Sequence, residues 1–168
     1  MHTGVRLANK DQRGFTMVEL LIAAVITGLI ASGAALFTSQ LFDTNTRSNN
    51  HAIAVSQVQN VGHRISYDAQ MAETVTVGES AGFPLTLEWT EYDSTQHQVT
   101  YSLADDELRR NEGGNEILVA QYIDSDETSC TWDETSAEFI LTVTARVGSG
   151  LPHEQSETRE YKVTPRPD

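Results

Sequence analysis

The stretch RGFTMVELLIAAVITGLIASGAALF, residues 13–37, decides how the chain is organised. Between residues 15 and 42 only Glu19 is charged. A bilayer core about 30 Å thick is crossed by roughly 20 apolar residues in a helix, and this run exceeds that length. A carboxylate in such a segment costs on the order of 2.5–3.5 kcal/mol at the centre of the bilayer, and less near its edge. Glu19 therefore calls for a functional account.

Around this run the charge is uneven. The chain has 168 residues and a formal net charge of −13. The first 14 residues hold Arg6, Lys10 and Arg13 against Asp11, which leaves 8 basic and 23 acidic residues from Phe15 onward, a net of −15. That surface repels phosphate and argues against a nucleic-acid partner. Basic residues before an apolar run mark a cytoplasmic end, so everything after Phe42 is expected outside the cytoplasm. The length allows one anchor and one modest domain. The single Cys130 rules out an intramolecular disulfide and reads as a small buried hydrophobe or an intermolecular handle.

An ordinary secretory signal has an apolar region of about 7–15 residues, shorter than this one. Small residues at Ala31-Ser32-Gly33-Ala34-Ala35 keep a cleavage site there open by composition, but neither a plain signal nor a plain anchor gives Glu19 a purpose. The run Arg13-Gly14-Phe15-Thr16-Met17-Val18-Glu19-Leu20-Leu21 resembles the processing and methylation motif of type IV prepilins and pseudopilins. The resemblance covers about residues 13–42. It implies cleavage between Gly14 and Phe15 on the cytoplasmic side by a prepilin peptidase, N-methylation of Phe15, and an assembly role for Glu19. The implied partners are other pilin or pseudopilin subunits, the peptidase and methyltransferase, an inner-membrane assembly platform, and lipid before assembly. The helix-breaking proline frequent in this family is missing: the first proline is Pro84, and Gly28 and Gly33 are the weak points, each costing about 1 kcal/mol relative to alanine.

Beyond Phe42 the sequence turns polar without Pro or Gly until Gly62, so the helix is expected to continue. Ala54, Val58, Val61, Ile65, Ala69 and Ala72 recur at spacings of three and four, one apolar helical face suited to packing on a sheet. The expected helix runs from Phe15 to about Glu73. From Thr74 the period becomes two. Leu85-Thr86-Leu87-Glu88-Trp89, Val99-Thr100-Tyr101-Ser102-Leu103 and residues 139–147 alternate; shorter candidate strands are residues 107–110, 117–123 and 159–164. Turn signals at residues 93–96, 105–106, 111–115 and 148–152 separate them, predicting an antiparallel, meander-like sheet with one face on the helical stripe. The fold class is α+β: a leader at 1–14, an apolar helix at 15–42, its amphipathic continuation at 43–73 and a β domain at 74–168. The hairpin around residues 101–110, the long late strand and the final strand before Pro165-Arg166-Pro167 are similar, at the level of pattern, to minor pilins of the PilW type and to J-type pseudopilins. With one cysteine, the disulfide-closed C-terminal loop of many major pilins is not available, which favours a minor subunit of a pilus-like filament or a pseudopilin of a type II secretion system.

No nucleophile–base pairing, metal-protease motif or phosphate-cradling loop stands out, and no cofactor or metal is expected. His51, His63, His97 and His153 read as solvated, the last two in turns. The acidic segment Asp124-Ser125-Asp126-Glu127-Thr128 with Asp133-Glu134 offers hard oxygens suited to calcium, but lacks the glycine and spaced final glutamate of an EF-hand and reads as a solvated loop. A membrane-anchored exported enzyme or binding domain is the rival class. Its mark would be a concave pocket with convergent, perturbed titratable groups.

Overall fold

A computed structural model describes residues 14–166. The basic leader residues Arg6, Lys10, Asp11 and Arg13 lie outside the described residues, as does Pro167. The chain divides into two compact units, Met1–Phe42 and Asp43–Asp168. One helix, α1 (Met17–Met71), runs through the boundary, continuous across Gly28 and Gly33.

In the first unit every described residue is exposed. Leu20, Leu21, Ile22, Val25, Ile26, Leu29 and Ile30 are among the uncovered apolar side chains. The hydroxyls of Thr27, Ser32 and Thr38 donate to the carbonyls of Ala23, Gly28 and Ala34, one turn back, at 2.7–2.9 Å. Backbone and hydroxyl groups satisfied within one helix are what a hydrocarbon environment demands. This segment is long and apolar enough to cross a membrane.

In the second unit, α1 supplies one face of the core. Ala54, Val58, Val61, Ile65 and Ala69, with Ala72 just beyond the helix, are fully buried, so the stripe faces inward as its spacing required. Gly62 sits on the same side: a side chain there would collide with the ring of Tyr161, whose hydroxyl donates to the Val58 carbonyl at 3.3 Å. Burying a valine is worth roughly 1.5–3 kcal/mol, and an unpaired buried carboxylate costs more. Val61→Asp is therefore expected to abolish the cooperative thermal melt of a protein beginning at Asp43. A wild-type melt for that variant would contradict the packing.

The strands are β1 (Thr74–Gly78), β2 (Gly82–Thr90), β3 (Gln96–Ala104), β4 (Glu107–Glu112), β5 (Asn115–Gln121), β6 (Ser129–Asp133), β7 (Glu138–Val147) and β8 (Gln155–Val163). All pairings are antiparallel. They form two sheets, β1-β2-β3-β4-β5 and β6-β7-β8, where the sequence suggested one meander. The break follows β5. Tyr122 takes φ 63°, which ends the strand at Gln121 rather than at Ile123. The Ile123 N–H then donates to Asp106 O and the Asp124 N–H to Thr144 O, both at 2.9 Å, carrying the chain from one sheet to the other. The sheets meet again where the Cys130 N–H donates to Ala81 O at 2.9 Å. Gly82, at φ 87°, lies so close to the Cys130 carbonyl that a side chain would not fit. Alternating inward residues (Leu85, Leu87, Val99, Tyr101, Phe139, Leu141, Val143) complete the core around the helical stripe.

Candidate functional site

Gly14, Phe15 and Thr16 lead into the first turn of α1. Gly14 is exposed and a side chain on it would meet no atom within 4 Å, so the Gly14–Phe15 bond is open to close approach. The Phe15 side chain is 85% exposed. Thr16 acts as helix N-cap, its carbonyl accepting from the Leu20 N–H at 3.2 Å. The Glu19 N–H donates to Thr16 Oγ1 at 3.2 Å; in return the Thr16 N–H and hydroxyl donate to Glu19 Oε2 at 2.8 and 2.9 Å. This is a reciprocal capping box. Glu19 Oε1 has no partner among the described residues. The Thr-x-x-Glu spacing at 16–19 is the sequence signal for such a box, a local role for Glu19 beside the assembly role that the resemblance implies.

A second cluster was not anticipated at all. Asp68, on α1, is 2% exposed, and its Oδ2 accepts from the Tyr101 hydroxyl at 2.5 Å and from Arg110 Nε at 2.7 Å. Arg110, 6% exposed, also donates from Nη1 to Glu112 Oε2 at 2.8 Å. Burial and the neighbouring Asp68 push the Tyr101 phenol well above its ordinary range. Burial lowers the Arg110 pKa, but its bonds to Asp68 and Glu112 outweigh that and hold the guanidinium charged. Arg110, bonded to it, holds the Glu112 carboxyl below the usual range. These groups tie α1 to β3 and β4. Asp68, Tyr101 and Arg110 face one another inside the core with Glu112 at its margin, an arrangement suited to fixing the helix on the sheet.

The histidines divide. His51 and His63 are exposed, as expected. His97 is not in a turn: it lies in β3, stacked on Trp89 with ring centroids 5.1 Å apart, Nδ1 3.3 Å from Glu112 Oε1 and Nε2 3.5 Å from Glu91 Oε1. His153 is in a turn but is engaged there by Asp43 at 3.4 Å and by Arg47, whose Nε donates to its Nδ1 at 3.4 Å. A groove of about 490 Å³ borders Trp89 and His97, flanked by Glu73 and Glu88. Both carboxylates are partly engaged by the protein itself, Glu73 by the Thr90 N–H and Glu88 by Gln98.

In the acidic segment, Asp124 lies 2.8 Å from Arg146 Nε and accepts the Asp126 and Glu127 N–H groups; Glu127 accepts from Arg146 Nη2 at 2.9 Å. The attraction of Asp124 and then of Glu127 raises the Arg146 pKa. Asp133 is occupied by Ser136 and the Thr135 N–H, which hold its carboxyl below the usual range. Among the described residues no group of three or more His, Cys, Asp or Glu side chains is placed to hold a metal. Cys130 is buried; its thiol, pushed up to about 12 by desolvation, donates to Gly82 O at 3.0 Å.

No curated protein and no solved structure matches this chain. Residues 9–35 match the family model described as the prokaryotic N-terminal methylation motif, and this match, together with an apolar helix that continues onto antiparallel sheets, supports a membrane-anchored, type IV pilin-like precursor with a structural role.

Proposed function

We propose that the protein is a structural subunit, a minor pilin, of a type IV pilus-like filament. It is made as a prepilin with residues 1–14 as a cytoplasmic leader and residues 15–42 as the membrane segment. It is cut between Gly14 and Phe15, methylated on the Phe15 nitrogen, and assembled through the same helix, which exchanges lipid for neighbouring helices. The domain from Asp43 onward then lies on the non-cytoplasmic side.

One observation carries this reading: an accessible Gly14–Phe15 bond stands directly before a capped, uncovered apolar helix whose lone acid lies in the first turn. The single cysteine favours a minor subunit over a major one. Mass spectrometry of the mature protein is expected to find an N-terminal, methylated Phe15. An N-terminus near Ala35 would overturn the reading. Gly14→Leu is expected to leave uncut precursor in the membrane, because a peptidase must come close to a bond that Gly14 leaves unshielded.

A further inference from the structure

We propose that His97 is a proton-operated clasp: charged, the imidazole ties the end of the β2–β3 hairpin to β4, and neutral, it lets that end go. The device goes beyond the filament reading and holds with or without it.

Both ring nitrogens of His97 face carboxylates. Nδ1 lies 3.3 Å from Glu112 Oε1 on β4, and Nε2 lies 3.5 Å from Glu91 Oε1 just after β2. A neutral imidazole has one N–H and one lone pair. Whichever nitrogen carries the proton, the other turns its lone pair toward an anionic oxygen. Water does not relieve this at Nε2, which is shut from solvent and makes no hydrogen bond. The imidazolium, with two N–H groups, suits both partners. Its ring also lies flat on the Trp89 indole, with planes 7° from parallel, a face that attracts a cation.

The surrounding charges act in the same sense. Asp93 in the adjoining turn attracts a charged His97, and Glu73, before β1, and Glu88, on β2, border the groove beside it. Arg110, on β4, is engaged elsewhere, by Glu112 Oε2 and by Asp68. Arg110 first, and His97 after it, hold the Glu112 carboxyl below the usual range, so Glu112 keeps its charge. Between pH 5 and 8 the side chain suited to change charge is an imidazole.

The proton does not make the turn itself. The Ser94 N–H donates to Glu91 O and the Glu91 N–H to Thr95 O, both at 2.9 Å, so a turn persists in either state. The Glu91 carboxylate, however, has no partner except His97 among the described residues, and it is 46% exposed. Beside a neutral ring it swings into water. Glu112 stays fixed, through Arg110, to Asp68 on α1. The proton therefore decides whether the hairpin end, with the fully exposed Tyr92, is tethered through β4 to the helix or left loose.

The test uses the full-length chain in detergent micelles and two readouts between pH 5.5 and 8.5. Trp132→Phe leaves Trp89 as the only indole. A stacked imidazolium quenches indole emission, so emission is expected to rise by about half or more as the pH is raised, and to stay level in His97→Gln. A nitroxide on Tyr92→Cys reports the hairpin end, since the buried Cys130 escapes labelling. Its motion is expected to quicken roughly twofold from the acid to the alkaline end, and to be fast throughout in His97→Gln. Glu91→Ala separates charge from tether: it should keep the Trp89 response while the nitroxide stays fast at every pH. Emission indifferent to pH, nitroxide motion indifferent to pH in the chain with His97 and Glu91 intact, or motion that still follows pH in Glu91→Ala overturns the clasp.

Discussion

Replacing Asp68 with alanine is expected to lower the melting temperature of a protein beginning at Asp43 by about 10–20 °C. The carboxylate accepts from Tyr101 and Arg110 in a site that excludes water. Removing one member of a buried charged pair leaves the other uncompensated, at a cost of about 3–5 kcal/mol. For a domain of this size, 1 kcal/mol moves the melting temperature by roughly 2–8 °C. The half-exposed Glu112 remains to Arg110, so the loss belongs toward the lower part of that range. Asp68→Asn keeps an acceptor for the tyrosine but not the charge, and should fall between alanine and wild type. A double change to apolar residues, Asp68→Leu with Arg110→Met, should recover much of the loss, because it removes the stranded charge along with its partner. An alanine variant melting within about 2 °C of wild type would show that the network contributes little to holding α1 on the sheets.

The sequence concealed this cluster for a physical reason. The stripe Ala54 to Ala72 was legible because apolar residues at helical spacing have one economical destination. Asp68, between Ile65 and Ala69, occupies that same face, yet an acid there reads as solvent-facing unless its partners are known. Those partners come from β3 and β4, far along the chain, and Arg110 looks like one more surface charge until the register places it inward with Leu108. The same limit explains the sheets. Strands with clear alternation, such as 85–89, 99–103 and 139–147, were recognisable. Ser129–Asp133 also alternates polar and apolar residues, but over only five residues set between acids that read as a solvated loop, and its pairing with β7 is what makes it a strand. The split into two sheets hangs on the backbone of Tyr122 turning left-handed, which a tyrosine does not announce. His97 was misplaced because the turn at residues 93–96 was legible and the Trp89 stack beyond it was not. At the N-terminus, by contrast, the site is local. Gly14, Phe15, Thr16 and Glu19 lie within six consecutive residues, so spacing alone brings them together.

That locality sharpens what Glu19 is expected to do. Glu19→Val should leave cleavage at Gly14 and membrane insertion intact while reducing recovery of the protein in sheared filaments by more than tenfold. Two roles compete for the carboxylate. As the third helical residue, closing a capping box, it accepts from the Thr16 N–H and hydroxyl, a contribution on the order of 0.5–2 kcal/mol to the start of the helix. As a charge it is the natural partner for an α-amine, which cleavage creates on Phe15 and which, with an unperturbed pKa of about 7.7–8.0, is largely protonated at neutral pH. The geometry allows both, since Oε2 serves the cap and Oε1 has no partner among the described residues. In a filament core, ammonium and carboxylate would each be costly alone, and paired they offset much of each other's desolvation. A pair formed with a neighbour's amine would also set the axial register between subunits. Glu19→Gln separates the roles, because glutamine can close a capping box but cannot neutralise an ammonium. It should be nearly as defective as valine. Filaments at wild-type levels with glutamine would reduce Glu19 to a helix cap, and wild-type levels with valine would remove both roles. Thr16→Ala gives the converse case. It keeps the charge and the backbone donor but loses the hydroxyl, so it should weaken the start of the helix while retaining most assembly, as the pairing of charges across subunits requires.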